Sequence, residues 1–99
     1  MFAIFLVVYI LPKIEYTIFI RGDVMTKQQQ EKYRQLGLNI AYYRKQRGLS
    51  QLQLAEIVDI SRTHMSRIEI ADCAVSLDVV FDICDALQVA PAKLFDFRD

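Results

Sequence analysis

The sequence predicts a compact all-α domain of five short helices, preceded by an apolar N-terminal segment of different character. Three observations carry that expectation. From about Gln30 onward the apolar residues recur at helical rather than strand spacing, serines stand just ahead of three apolar runs, and the connections between runs are only a few residues long. With 99 residues, 54% of them apolar, and only three glycines and two prolines, the chain has enough material for one core and too little for two.

Residues 1–24, MFAIFLVVYILPKIEYTIFIRGDV, are almost wholly apolar apart from Lys13, Glu15, Arg21 and Asp23. A membrane span is not expected there. The unbroken run over residues 2–11 would rise only about 15 Å as a helix, against a hydrocarbon core of roughly 30 Å, before Pro12, Lys13 and Glu15 interrupt it. A secretory signal is equally poor, because the segment lacks a basic start and a small-residue cleavage site. Ile14, Tyr16, Ile18 and Ile20 alternate with Glu15 and Thr17 at strand periodicity, so a β-arm is one reading. The other is that Met25 is the natural first residue and the segment before it comes from a start codon assigned too far upstream, which the intact mass of the natively expressed protein decides. Residues 25–35, MTKQQQEKYRQ, then form a polar lead-in to the first helix.

The domain proper spans residues 36–99. Leu36, Ile40 and Tyr43 fall at i, i+4 and i+7 with Arg44 beside them, and the helix they define should end at Gly48, which suits the left-handed conformation past a helix end. Arg44, Lys45 and Arg47 are placed favourably near its last turn. Ser50 N-caps the second helix, whose buried stripe is Leu54, Ala55 and Val58; Asp59 and Ile60 make a tight turn. Ser61 caps the third, with Met65 and Ile68 pointing inward. Ser76 caps the fourth, which buries Val80, Ile83, Cys84 and Leu87 in some combination with Leu77. Pro91 starts a short fifth helix through Leu94 and Phe95.

The formal net charge is zero, but it is a sum of opposed regions. Residues 31–67 carry seven basic side chains against three acidic ones, and residues 68–99 carry seven acidic against two basic. A polyanion responds to the nearby face within a Debye length of about 8–10 Å, so the basic half is the relevant one. No catalytic frame is evident. Asp78, Asp82 and Asp85 lie along one helical face, most simply as a solvated row, and His64, the one histidine, has no partner at a triad or metal spacing. Cys73 and Cys84 have neither CxxC spacing nor further cysteines, which points to reduced thiols in a cytoplasmic protein, with no metal, cofactor or small-molecule ligand expected.

From LGLNIAYYRKQRGLSQLQLAEIVDISRTHMSRIE through SLDVVFDICDALQVAPAKLF, the sequence resembles the Cro and phage-repressor class, the XRE family of helix-turn-helix proteins. The resemblance covers residues 36–95 and implies a five-helix, lambda-repressor-like DNA-binding domain, usually dimeric, that regulates transcription without enzymatic activity. It makes the third helix the one that enters the major groove. Its outward positions Arg62, Thr63, Ser66 and Arg67, with His64 at the edge, are the expected base contacts; arginine donates bidentately to guanine, and threonine offers a hydroxyl and a methyl. Gln51 matches a position that binds a backbone phosphate, with Lys45 and Arg47 as additional phosphate contacts. Arg44 and Glu69 match a buried structural ion pair.

Two positions depart from the pattern. Asp59 stands where glycine is common in the turn, and aspartate reaches the left-handed region better than most residues, so the turn should survive. Ala71 stands where glycine is common after the third helix, and would be strained in a left-handed cap; a longer helix or a different cap would relieve it. The expected partners are double-stranded DNA and a second copy of the chain, with no membrane. The alternative is a protein-interaction module, such as an antitoxin or adaptor, built on the same fold. Operator sequence and the sign of regulation are not legible.

Overall fold

Serine or threonine opens four of the five helices, and the backbone swings left-handed to end four of them. The structure, a computed structural model, describes residues 26–97; the β-arm and the Met25 start lie outside the described residues. Those residues form α1 (Lys27–Gln46), α2 (Gln51–Ile57), α3 (Arg62–Glu69), α4 (Leu77–Leu87) and α5 (Pro91–Leu94), with no strand among them. None of the described helices is long and apolar enough to cross a membrane.

The N-caps are where the sequence places them. Ser50 Oγ accepts from the Gln53 N–H at 3.0 Å while Gln53 Oε1 accepts from the Ser50 N–H at 2.8 Å, a reciprocal capping box. Ser61 takes the His64 N–H at 3.0 Å and Ser76 the Val79 N–H at 3.2 Å. Each such cap contributes about 1 kcal/mol by satisfying a donor the helix cannot. Helix α1 begins at Lys27, earlier than the Gln30 expected from apolar spacing, because Thr26 caps it by accepting from Gln29 N–H at 3.2 Å. A polar first turn leaves no periodic signal for the sequence to display.

Gly48, Asp59, Ala71 and Gln88 carry φ of 72°, 60°, 60° and 57°. At each, the N–H of the following residue reaches back to a carbonyl five residues earlier: Leu49 to Arg44 at 3.1 Å, Ile60 to Ala55 at 2.9 Å, Asp72 to Arg67 at 2.8 Å and Val89 to Cys84 at 3.1 Å. The turn at Asp59 therefore survives as expected. Ala71 is a finding: α3 is not extended and the cap is not changed, so alanine takes the left-handed conformation itself. Its side chain is buried, and the two backbone bonds closing the cap hold it there.

The core is assembled from Leu36 and Ile40 of α1, Leu54 and Ala55 of α2, Met65 and Ile68 of α3, Val80, Ile83, Cys84 and Leu87 of α4, and Leu94 of α5, with Val58 just past α2. Burying each large member contributes about 1.5–3 kcal/mol. Two expectations shift. Tyr43 is half-buried and the inward place one residue on is taken by Arg44, while Leu77, first in α4, is exposed. Asn39 closes the bundle by donating from Nδ2 to the carbonyls of Leu94 at 2.8 Å and Asp96 at 3.2 Å, which ties α5 to α1.

Candidate nucleic-acid interface

Helices α2 and α3 are joined by four residues, and the left-handed Asp59 turns the chain sharply enough for both to share one apolar seam. With Met65 and Ile68 buried in that seam, helical geometry drives the residues between them outward. Arg62, Thr63 and Arg67 are exposed; His64 and Ser66 are half-buried along the edges of the same face. Among the described residues the Arg62 side chain engages no hydrogen bond or ion pair. Arg67 is engaged: its Nη2 donates to the Asp72 carbonyl oxygen at 3.1 Å, and its Nε lies 3.4 Å from Asp72 Oδ2.

The outward face is held by a polar network beneath the end of α3. Arg44 Nε donates to Glu69 Oε2 at 2.7 Å and Nη2 to Glu69 Oε1 at 3.1 Å, a two-pronged pair in which both residues are buried. Arg44 Nη1 donates to the Leu49 carbonyl at 2.7 Å, so one guanidinium joins α1, the α1–α2 connection and α3. Gln51 Nε2 adds a bond to Glu69 Oε1 at 2.9 Å. Among the described residues no buried side-chain polar atom lacks a partner.

Sequence reasoning missed what permits this approach. A Cβ on Gly37 of α1 would lie 2.7 Å from the Ile68 carbonyl oxygen and would collide with that of Glu69, so the α1 backbone rests directly on the end of α3. Two turns on, Arg44 is thereby within reach of Glu69. A glycine in the interior of a helical pattern, where it is normally unfavourable, was the available signal.

The phosphate set divides. Gln51 is half-buried at the start of α2, with one amide hydrogen on Glu69 and the other uncommitted. Lys45 is exposed on the last turn of α1. Arg47 is exposed but also engaged within the domain: its Nε donates to the Leu87 carbonyl at 2.6 Å and its Nη2 to that of Gln88 at 3.2 Å. The carbonyls at a helix C-terminus carry partial negative charge and lack intrahelical partners, and α4 ends without a basic residue of its own in the last turn. Arg47 supplies the missing donors from another helix.

Comparison with known proteins agrees with this architecture. Residues 40–94 match the helix-turn-helix family model HTH_3. Among solved structures, the restriction-modification controller protein C.AhdI from Aeromonas hydrophila is similar at 28% identity and a TM-score of 0.62, over 64% of this chain and 96% of that one. The clp gene regulator ClgR from Corynebacterium glutamicum is similar at 25% identity and 0.63, over 65% and 68% of the two chains. The hypothetical transcription factor NHTF from Neisseria is similar at 26% and 0.63, over 73% and 83%. No curated protein matches the chain. The chain belongs to the helix-turn-helix family, of XRE type, and so to DNA-binding regulators rather than enzymes.

Proposed function

We propose that this member of the helix-turn-helix family is a sequence-specific transcriptional regulator that lays α3 in the major groove of double-stranded DNA, acts in the cytoplasm, and binds as a homodimer. The observation that carries the reading is the division of α3 into an inward pair, Met65 and Ile68, and an outward row, Arg62, Thr63 and Arg67. A rod so anchored offers its outer side chains to a groove about 12 Å wide. In this reading Arg62 and Arg67 donate to guanine edges, Thr63 and Ser66 contact bases on the same face, and His64 lies at its margin. Gln51 and Lys45 hold phosphates, and positioning falls to them because Arg47 is committed to α4.

The homodimer rests on apolar surface remaining in the acidic half: Leu77, Phe81 and Phe95 are 59%, 45% and 42% exposed. A twofold pair would address half-sites one helical turn, about 34–36 Å, apart. Selection of bound duplexes from a random DNA pool tests the proposal. Enrichment of a two-part site, lost on substituting Arg62 and Arg67 by alanine and weakened steeply by salt, is the expected result. An unenriched pool would instead favour a protein-interaction module that uses the exposed acidic half. Sedimentation of the protein with the selected duplex reads the stoichiometry.

A further inference from the structure

Three of the four left-handed helix ends are followed by an apolar residue packed on the core: Leu49, Ile60 and Val89. The fourth is followed by Asp72. In this kind of cap the residue after the left-handed position commonly meets the side chain whose carbonyl its own N–H takes, in an apolar contact. Here those two residues are Asp72 and Arg67, and the contact is ionic. Alanine, not glycine, holds the left-handed position that turns Asp72 back along α3.

We propose that Asp72 is a positioning residue for base recognition, fixing Arg67 in the orientation from which it reads guanine. The inference rests on the DNA-binding reading above. An arginine has five N–H donors in a planar fork. Asp72 engages one edge of that fork, with Nε facing Oδ2 at 3.4 Å and Nη2 donating to the backbone carbonyl at 3.1 Å. Nη1 and the second hydrogen of Nη2 remain as a parallel pair at the tip, the arrangement that guanine O6 and N7 accept. Both side chains are well exposed, 50% for Arg67 and 66% for Asp72, so the pair adds little to the fold. Its value lies in the bound state, where a side chain already held loses less rotamer freedom on docking.

The test selects duplexes from one random pool with the wild type, Arg67→Ala, Asp72→Asn and Asp72→Ala, each checked for an intact fold by circular dichroism. Asn preserves the size of Asp72 and the backbone carbonyl contact while removing the charge. Arg67→Ala should erase a guanine preference at one position of each half-site. Both Asp72 variants should lower the preference at that same position by roughly threefold to fivefold, leaving the other positions as they were. The inference is overturned if Arg67→Ala erases no position, if the Asp72 variants leave or raise the guanine preference there, or if they change affinity uniformly across sequences. A wild type that enriches nothing overturns the DNA-binding reading itself, and this inference with it.

Discussion

Arg44–Glu69 and Arg67–Asp72 are both arginine–carboxylate pairs gathered at the end of α3, one beneath the helix and one on its outer side. The side chains of the first are 10% and 5% exposed, those of the second 50% and 66%. Inside, water cannot replace a lost partner, so the pair is bound to the stability of the fold. Outside, solvent screens the attraction and replaces it readily, so the second pair is free to be used for recognition. On the proposed reading, the same chemistry a few residues apart is allotted by burial to two different tasks.

The largest effect expected from breaking this contrast is on the buried side. Glu69→Ala should destabilise the domain by about 3–5 kcal/mol in chemical denaturation, because Arg44 is left charged and unpaired. Replacing both by apolar residues of similar volume should restore part of that loss; a double variant as unstable as the single one would show that the pair is worth more than its desolvation penalty. Gly37→Ala, which forces α1 off the end of α3, should cost about 1–3 kcal/mol and weaken DNA binding as the outward face shifts.

On the outer side, Arg67→Ala should change stability by no more than about 0.5 kcal/mol. Under the proposed function it should also cost about 1–3 kcal/mol of discrimination at one base pair, read by competition binding. A stability loss matching that of Glu69→Ala would erase the contrast. At the helix ends, Gln88→Gly should raise stability by about 1 kcal/mol, since Gln88 is exposed with φ 57°. Ala71→Gly should gain less, because it also removes a buried methyl. The smallest effect is a pH dependence. Burial, with Asp85 alongside, raises the Cys84 thiol above its ordinary value. The folded state therefore holds that proton more tightly, so stability from this group is intact below the ordinary thiol value and is lost as pH rises above it through the raised folded value. Alkaline denaturation of Cys84→Ala should be correspondingly flatter.

Much of the frame was legible in advance because its determinants are local. Ser50, Ser61 and Ser76 cap at three residues' distance, and the inward residues of α2, α3 and α4 follow from helical spacing. The buried ion pair was legible only through the family resemblance, since nothing in the spacing joins Arg44 to Glu69. Arg47 was expected at a phosphate, and nothing in its spacing pointed to the α4 carbonyls it holds, while Asn39 and Gly37 gave no expectation at all.

By itself, then, the sequence determined where the four helices after α1 begin, which faces of α2, α3 and α4 are apolar, and that a left-handed residue follows α1 and α2. Those outcomes depend on hydrogen bonds and periodicity within a turn or two. Only the tertiary structure decided that α1 touches the backbone of α3 through Gly37, that Arg47 caps a helix 40 residues away, and that Asn39 reaches 55 residues to α5. It also decided that Ala71 would keep a conformation alanine resists. Each of these depends on how helices cross in three dimensions, where packing of the whole core outweighs the preference of any single residue.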